Sequence, residues 1–160
     1  KPMEKYLSIV AERINHREAC KRHHPPGTLP SYASKVDGIS FKETQRKNDE
    51  NSNEMLGFPV SSGVITAKAS VVTGPSEFDK MVPGSILVSP LTTPAWTQLF
   101  AHAVGLVTDI GSILAHGSIV AREYGIPAVL GVGNGTVRIK HGQTITIDGD
   151  AGTVIFHEGE

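Results

Sequence analysis

The stretch most able to do chemistry is Thr108-Asp109-Ile110-Gly111-Ser112-Ile113-Leu114-Ala115-His116-Gly117-Ser118. An apolar run, Val104 to Val107, empties into small residues that deliver one histidine, His116, to the first turn of a predicted helix. Such a strand–turn–helix junction exposes unpaired backbone N–H groups and the positive end of the helix dipole, which together favour a bound anion. An imidazole at that place is a nucleophile beside a phosphate site, so the expected chemistry is covalent carriage of a phosphoryl group. Gly111 and Gly117 allow the backbone close to a ligand. The Ser118 hydroxyl or N–H either touches the phosphate or serves the first helical turn. Thr108 and Asp109 either orient the imidazole or cap the turn. Arg122 stands six residues after His116, roughly 9 Å along the helix and about 240° around it. It reaches the same phosphate only if its side chain folds back; a salt bridge or a docking contact is the other reading.

The elements that position this histidine follow from punctuation and periodicity. Ile119, Val120 and Tyr124 give the helix an apolar face, Gly125 is placed as its left-handed stop, and Pro127 blocks continuation. Strands are predicted at Val64–Thr73, Ile86–Val88, Gly105–Thr108, Ala128–Leu130, Thr144–Ile147 and Thr153–Phe156. A helix begins at Pro94 and carries Trp96, Leu99, Phe100 and Ala103 on one side. Gly131 to Gly135 reads as a turn, since it lacks the strand–helix setting and lysine of a nucleotide loop. Strands mixed with short helices indicate α/β layering.

Upstream, Met3, Leu7, Val10 and Ile14 step by four, three and four, predicting an amphipathic helix to about Arg22. Lys42 to Glu54 contains no apolar side chain and has nothing to bury against its ordering entropy. The expected organisation is therefore a helix from a neighbouring region over 1–24, a linker over 25–55 and a compact domain over 56–160.

The 160 residues carry 15 basic and 16 acidic side chains, a net charge of −1 that points neither to nucleic acid nor to an anionic membrane. The single cysteine, Cys20, excludes an internal disulfide framework and fits a cytoplasmic protein. No apolar run reaches spanning length. His23-His24 has no third ligand at metal spacing, and His102 and His141 read as surface residues; no metal site is expected.

Several ordered motifs carry a family resemblance: Gly57-Phe58-Pro59-Val60-Ser61-Ser62-Gly63, Pro83-Gly84-Ser85-Ile86-Leu87-Val88, Thr92-Thr93-Pro94-Ala95-Trp96, His116 to Val129, and Asp148-Gly149 with Gly152. From Gly57 to the C-terminus the chain resembles the phosphohistidine, or mobile, domain of the phosphoenolpyruvate (PEP)-utilising enzymes, the family of PEP synthase, pyruvate phosphate dikinase and rifampicin phosphotransferase. The resemblance implies a swivelling β/β/α fold and a phosphocarrier role within a longer phosphotransferase, with His116 as the histidine phosphorylated in transit. It implies a nucleotide-binding domain and an acceptor-substrate domain of the same polypeptide as partners. ATP and magnesium would be used by the parent enzyme and bound elsewhere than on this domain, with PEP as the other possible donor. Two departures stand out. Leu114 occupies a place where the family usually has threonine, and Ala115 replaces a serine or threonine often found next to the histidine. A non-catalytic swivelling interaction module of the same fold is the alternative that these departures support.

Overall fold

A computed structural model describes residues 2–20, 35–36, 39–40 and 52–157. The chain divides into two compact units, Lys1–Glu43 and Thr44–Glu160. The first contains helix α1 (Pro2–Cys20) and a two-stranded antiparallel ladder of β1 (Lys35–Val36) and β2 (Ile39–Ser40). The ladder lies inside the span predicted as linker. The rest of that span up to residue 51, and the His23-His24 pair, lie outside the described residues. Among the described residues no helix is long and apolar enough to cross a membrane.

The second unit holds an eight-stranded sheet. Its strands are β3 (Glu54–Leu56), β4 (Phe58–Ser61), β5 (Val64–Val71), β6 (Ser85–Ser89), β7 (Ala103–Thr108), β8 (Ala128–Leu130), β9 (Thr144–Asp148) and β10 (Thr153–Phe156), in the order β3-β10-β9-β5-β6-β7-β8-β4. β5 belongs to two halves. Val64 to Lys68 pair antiparallel with β9, whereas Ala69 to Val71 pair parallel with β6. β6, β7 and β8 continue the parallel half, and β9, β10 and β3 continue the antiparallel one.

The side-chain alternation of the parallel strands explains the layers. Leu87, Leu106, Ala128 and Leu130 point to a core shared with Trp96, Leu99, Phe100, Val120 and Ala121 from the helices. Ile86, Val88, Val107 and Val129 point the other way, onto Ile145, Ile147, Val154 and Met55 of the antiparallel half. Both faces of β6 to β8 are thus covered, which is why these strands are apolar throughout instead of alternating. The result is the expected β/β/α layering.

Helix α2 (Thr97–Phe100) is shorter than its sequence suggests. A 3-10 turn over Pro94–Trp96 precedes it, and Ala103 already opens β7, because Ser85 and Ile86 of β6 claim Ala103 and Gly105 as ladder partners. Helix α3 (His116–Tyr124) stops as predicted at Gly125, whose φ is +64°. A further helical turn, α4 (Gly135–Arg138), not expected from the sequence, begins at the last residue of the predicted Gly131–Gly135 turn.

Ile147 is fully buried between the two halves, whereas Ile155 on β10 is 41% exposed. Ile147→Ala should lower unfolding free energy by about 2–5 kcal/mol, and Ile155→Ala by about 1 kcal/mol or less. Urea unfolding of the two variants checks this; equal losses would place the core elsewhere.

Candidate functional site

The site is the loop from β7 to α3, fixed at its start by the sheet. The amides of Asp109 and Ile110 donate to the carbonyls of Ser89 and Pro90, at 3.1 and 2.9 Å, extending the β6–β7 pairing past the strand ends. Thr108 is fully buried, and its hydroxyl donates to the Ile110 carbonyl at 2.9 Å. Gly111 then passes so close to Leu130 that a Cβ there would come within 2.9 Å of its Cδ2.

Asp109 is turned to another task than the imidazole. Its carboxylate accepts from the Thr136 amide at 3.0 Å and from the Thr136 hydroxyl, so it caps α4. Burial raises the Asp109 carboxyl above its ordinary value of 3.8, against the opposing hydrogen bonds from Thr136 and Gly135. Of the two readings left open for this pair, Thr108 fits the turn-capping one, whereas the Asp109 carboxylate is engaged on α4, 27 residues away.

The far end of the loop is lashed to the helix that follows it. Ser118 is fully buried and its hydroxyl donates to the Ser112 carbonyl. Arg122 does fold back: its Nη2 donates to the Ile113 carbonyl at 2.9 Å. Two successive loop carbonyls are therefore held by two side chains of α3. Ser118 N–H and Ile119 N–H share the Ala115 carbonyl, at 3.0 and 3.3 Å. Ser118, a candidate phosphate ligand by sequence, spends both its hydroxyl and its amide on the loop.

What remains open is the helix start. Ala115 is the N-cap residue, in extended conformation, and provides no side-chain cap. The His116 and Gly117 amides have no hydrogen-bond acceptor among the described residues. His116 itself is half-buried, and its Nε2 is buried without a hydrogen-bond partner. Turning that nitrogen outward breaks no hydrogen bond. Gly117 is pressed against the loop after β6, where a Cβ would stand 2.6 Å from Thr92 Oγ1. Thr92 is thus a neighbour of the site that sequence reasoning did not assign. The signal was the threonine pair ahead of Pro94, but its contact, with Gly117, comes from the packing of α3.

Other candidates fall outside this cluster. Trp96 is core, edge-on to Phe78 at 5.1 Å. His102 and His141 are exposed. A separate groove of about 480 Å³ lies between Thr73, Glu77, Lys80, Thr136 and His141. There the Lys80 ammonium and the Thr73 hydroxyl and amide hold Glu77 down at about 2, so the acid and the lysine neutralise each other. Among the described residues no group of three or more histidine, cysteine or acidic side chains is placed to hold a metal ion. The one carboxylate between β7 and α3, Asp109, is taken by Thr136, so the loop offers no pair for magnesium.

A histidine in the first turn of an uncapped helix, at the carboxyl edge of the parallel half of a mixed sheet, is an arrangement of the kind at which α/β domains receive anions. Residues 81–152 match the family model of the PEP-utilising enzyme mobile domain, and this part of the chain belongs to that family. It is 49% identical over 160 residues to the prodigiosin synthesizing transferase PigC of Serratia marcescens, covering 98% of this chain and 17% of that protein. It is 37% identical over 146 residues to the rifampicin phosphotransferase of Streptomyces sviceus, covering 91% of this chain and 16% of that one. The chain therefore spans about a sixth of the length of these relatives. Its fold is similar to the solved structure of Thermococcus kodakaraensis aconitase X in its holo-form. That likeness has a TM-score of 0.51 at 19% identity, over 66% of this chain and 98% of the other, and concerns the fold alone.

Two outcomes test the local assignments. Ionised Asp109 is disfavoured by folding, so its contribution to stability is most favourable below its ordinary value of 3.8 and falls as pH rises through its elevated folded value. The stability of the wild type relative to Asp109→Asn should therefore decline as pH rises above the ordinary value of 3.8; a level or rising difference in denaturation series would contradict the dominance of burial. Ser118→Ala should cost about 0.5–1.5 kcal/mol and speed amide exchange over residues 112–115, while leaving exchange in β6 unchanged.

Proposed function

We propose that this chain works as the phosphocarrier domain of a longer phosphotransferase, with His116 as the residue that becomes phosphorylated. The observation that carries the reading is the position of His116, on the first turn of a helix whose cap residue is alanine and whose leading amides are open. The imidazole nitrogen attacks the phosphorus of the donor. The P–N bond forms as the bond to the donor's leaving oxygen breaks, and an acceptor oxygen later attacks the same phosphorus and releases the imidazole. The amides of His116 and Gly117 and the helix dipole stabilise the added negative charge. Gly117 keeps the helix start close to the β6–α2 loop. Gly111, Thr108, Ser118 and Arg122 hold the loop that aims the ring.

The donor is ATP with magnesium, or PEP, bound on another domain of the same polypeptide, and the acceptor is a small molecule such as pyruvate on a third. In this reading the travelling domain starts at β3, whose Met55 is buried in its core, the linker is the part of 25–55 that precedes β3, and 1–24 is a helix of the neighbouring region. The absence of a carboxylate pair beside His116 and the share of the relatives' length that this chain spans support the division of labour. Cytoplasmic residence suits both donors and the single cysteine.

Intact-mass measurement of the full-length phosphotransferase, incubated with ATP and magnesium and separately with PEP, tests this. One acid-labile phosphoryl group should appear with one of the donors and be absent in His116→Ala. Wild-type protein that stays unmodified with both would remove the carrier reading.

A further inference from the structure

The chain enters the sheet of the second unit through a weak element. β3 is three residues long, stands at the end of the strand order and starts two residues after Ser52. It is held by three residue pairs with β10 and by the fully buried Met55. A pull on the chain ahead of it loads those pairs one at a time, from Glu54 inward, and short elements at an edge are among the first to open.

Arg138, the last residue of α4, lies across this entry point. Its Nη2 donates to the Ser52 carbonyl, 86 residues earlier, and its guanidinium stands over the Phe156 ring, 4.9 Å from the centroid. Phe156 belongs to β10, and its amide donates to the Asn53 carbonyl at 2.8 Å. The Glu54 amide donates to the Ser52 hydroxyl at 3.1 Å. One guanidinium thus grips the entering backbone and the partner strand of β3 together. Its charge strengthens the bond to Ser52, and the ring beneath holds it in place.

α4 is itself moored to the most deeply buried strands. Ile139, directly after it, is 2% exposed, and its amide donates to the Gly135 carbonyl at 2.8 Å. At the other end Asp109 accepts from the Thr136 amide and hydroxyl, and its own amide extends the β6–β7 pairing through the Ser89 carbonyl. A helix of four residues is about 6 Å long. Ser52 is therefore one helical turn away from strands covered on both faces.

Resting on the carrier reading, we infer that Arg138 is a strain relief for the linker: it ties Ser52 to α4, so that force arriving along the chain passes through Asp109 into β6 and β7 instead of peeling β3 from β10. The same tie fixes the entry point of the chain relative to the loop that bears His116, because Asp109 is the root of that loop. A rotation imposed at Ser52 then moves His116 with the whole domain and is not lost in the opening of an edge strand. Arg138 is a positioning residue in this scheme, acting through α4 and not on the phosphoryl group.

Amide exchange in the full-length phosphotransferase tests the tie. Arg138→Met keeps an aliphatic stem over Phe156 but loses the donors, and should speed exchange over residues 54–56 by about tenfold, with residues 86–88 unchanged. Arg138→Lys, which retains a charged donor without the planar fork, should fall between the two, and carries the same comparison if Arg138→Met does not fold. A flexible insertion of about ten glycine and serine residues between Glu50 and Asn51 lowers any pull on Ser52, and should return Arg138→Met to within about threefold of the wild type. Unchanged exchange over 54–56 in the variants overturns the strain relief. So does fast exchange that the insertion leaves untouched, the mark of an arginine that merely stabilises β3. None of these readings needs phosphate on His116; wild-type protein left unmodified both by ATP with magnesium and by PEP sinks the carrier reading alone.

Discussion

Everything in the second unit depends on three parallel strands that are apolar on both faces. β6, β7 and β8 carry Ile86, Leu87, Val88, Leu106, Val107, Ala128, Val129 and Leu130, all at most 1% exposed. Such strands cannot leave either side to water, so one face must take helices and the other a second layer of sheet. β5 meets this demand within a single strand by pairing antiparallel over its first residues and parallel over its last. Because the strands run parallel, their connections return over one face, and their carboxyl ends gather at one edge. The loop bearing His116 and the loop bearing Thr92 both leave from that edge, where α/β sheets generally receive ligands.

The catalytic geometry proposed for this edge is sustained by the helix and loop acting on each other. Ser118 and Arg122 do not reach toward a ligand; they hold the carbonyls of Ser112 and Ile113. In return, the loop presents Ala115 where a capping side chain normally stands. A serine or threonine cap satisfies one of the first amides and stabilises a helix by about 1 kcal/mol. Alanine forgoes that and leaves the leading amides for an external anion. The departure that first supported a non-catalytic module thus has a physical reading consistent with phosphate binding, since the charge of the phosphate takes the part of the missing cap.

The strands that could be read from the chain are those whose apolar runs end at strong turn signals. Ala128–Leu130 and Thr153–Phe156 match to the residue, and α3 was marked by Gly125 and Pro127. β3 and β4 left no such mark. They are three and four residues long, broken by Gly57 and carrying Pro59, and they exist because β10 and β8 pair with them from far along the chain. The same holds for α4, a single turn whose start is held by a carboxylate 27 residues earlier. Within the site, residue type identified His116, Gly117 and Arg122 as worth attention. It did not reveal that Arg122 and Ser118 grip the loop, because both bonds depend on how the loop curls back over the helix.

This division between local and tertiary signals bears on how a mobile carrier has to be built. A domain that visits two sites needs a rigid presenting loop, since a loose one would pay its ordering entropy at each encounter. Here the rigidity comes from within, through β6 on one side and α3 on the other. The surface is left free of committed polar groups, and the nucleophile's nitrogen is free of a hydrogen bond that transfer would have to break. A carrier whose histidine were anchored by Asp109 would gain orientation but would have to surrender that bond whenever the ring turned. Capping α4 with Asp109 keeps the carboxylate's charge engaged elsewhere, so that the charge presented at the helix start is left to the phosphoryl group.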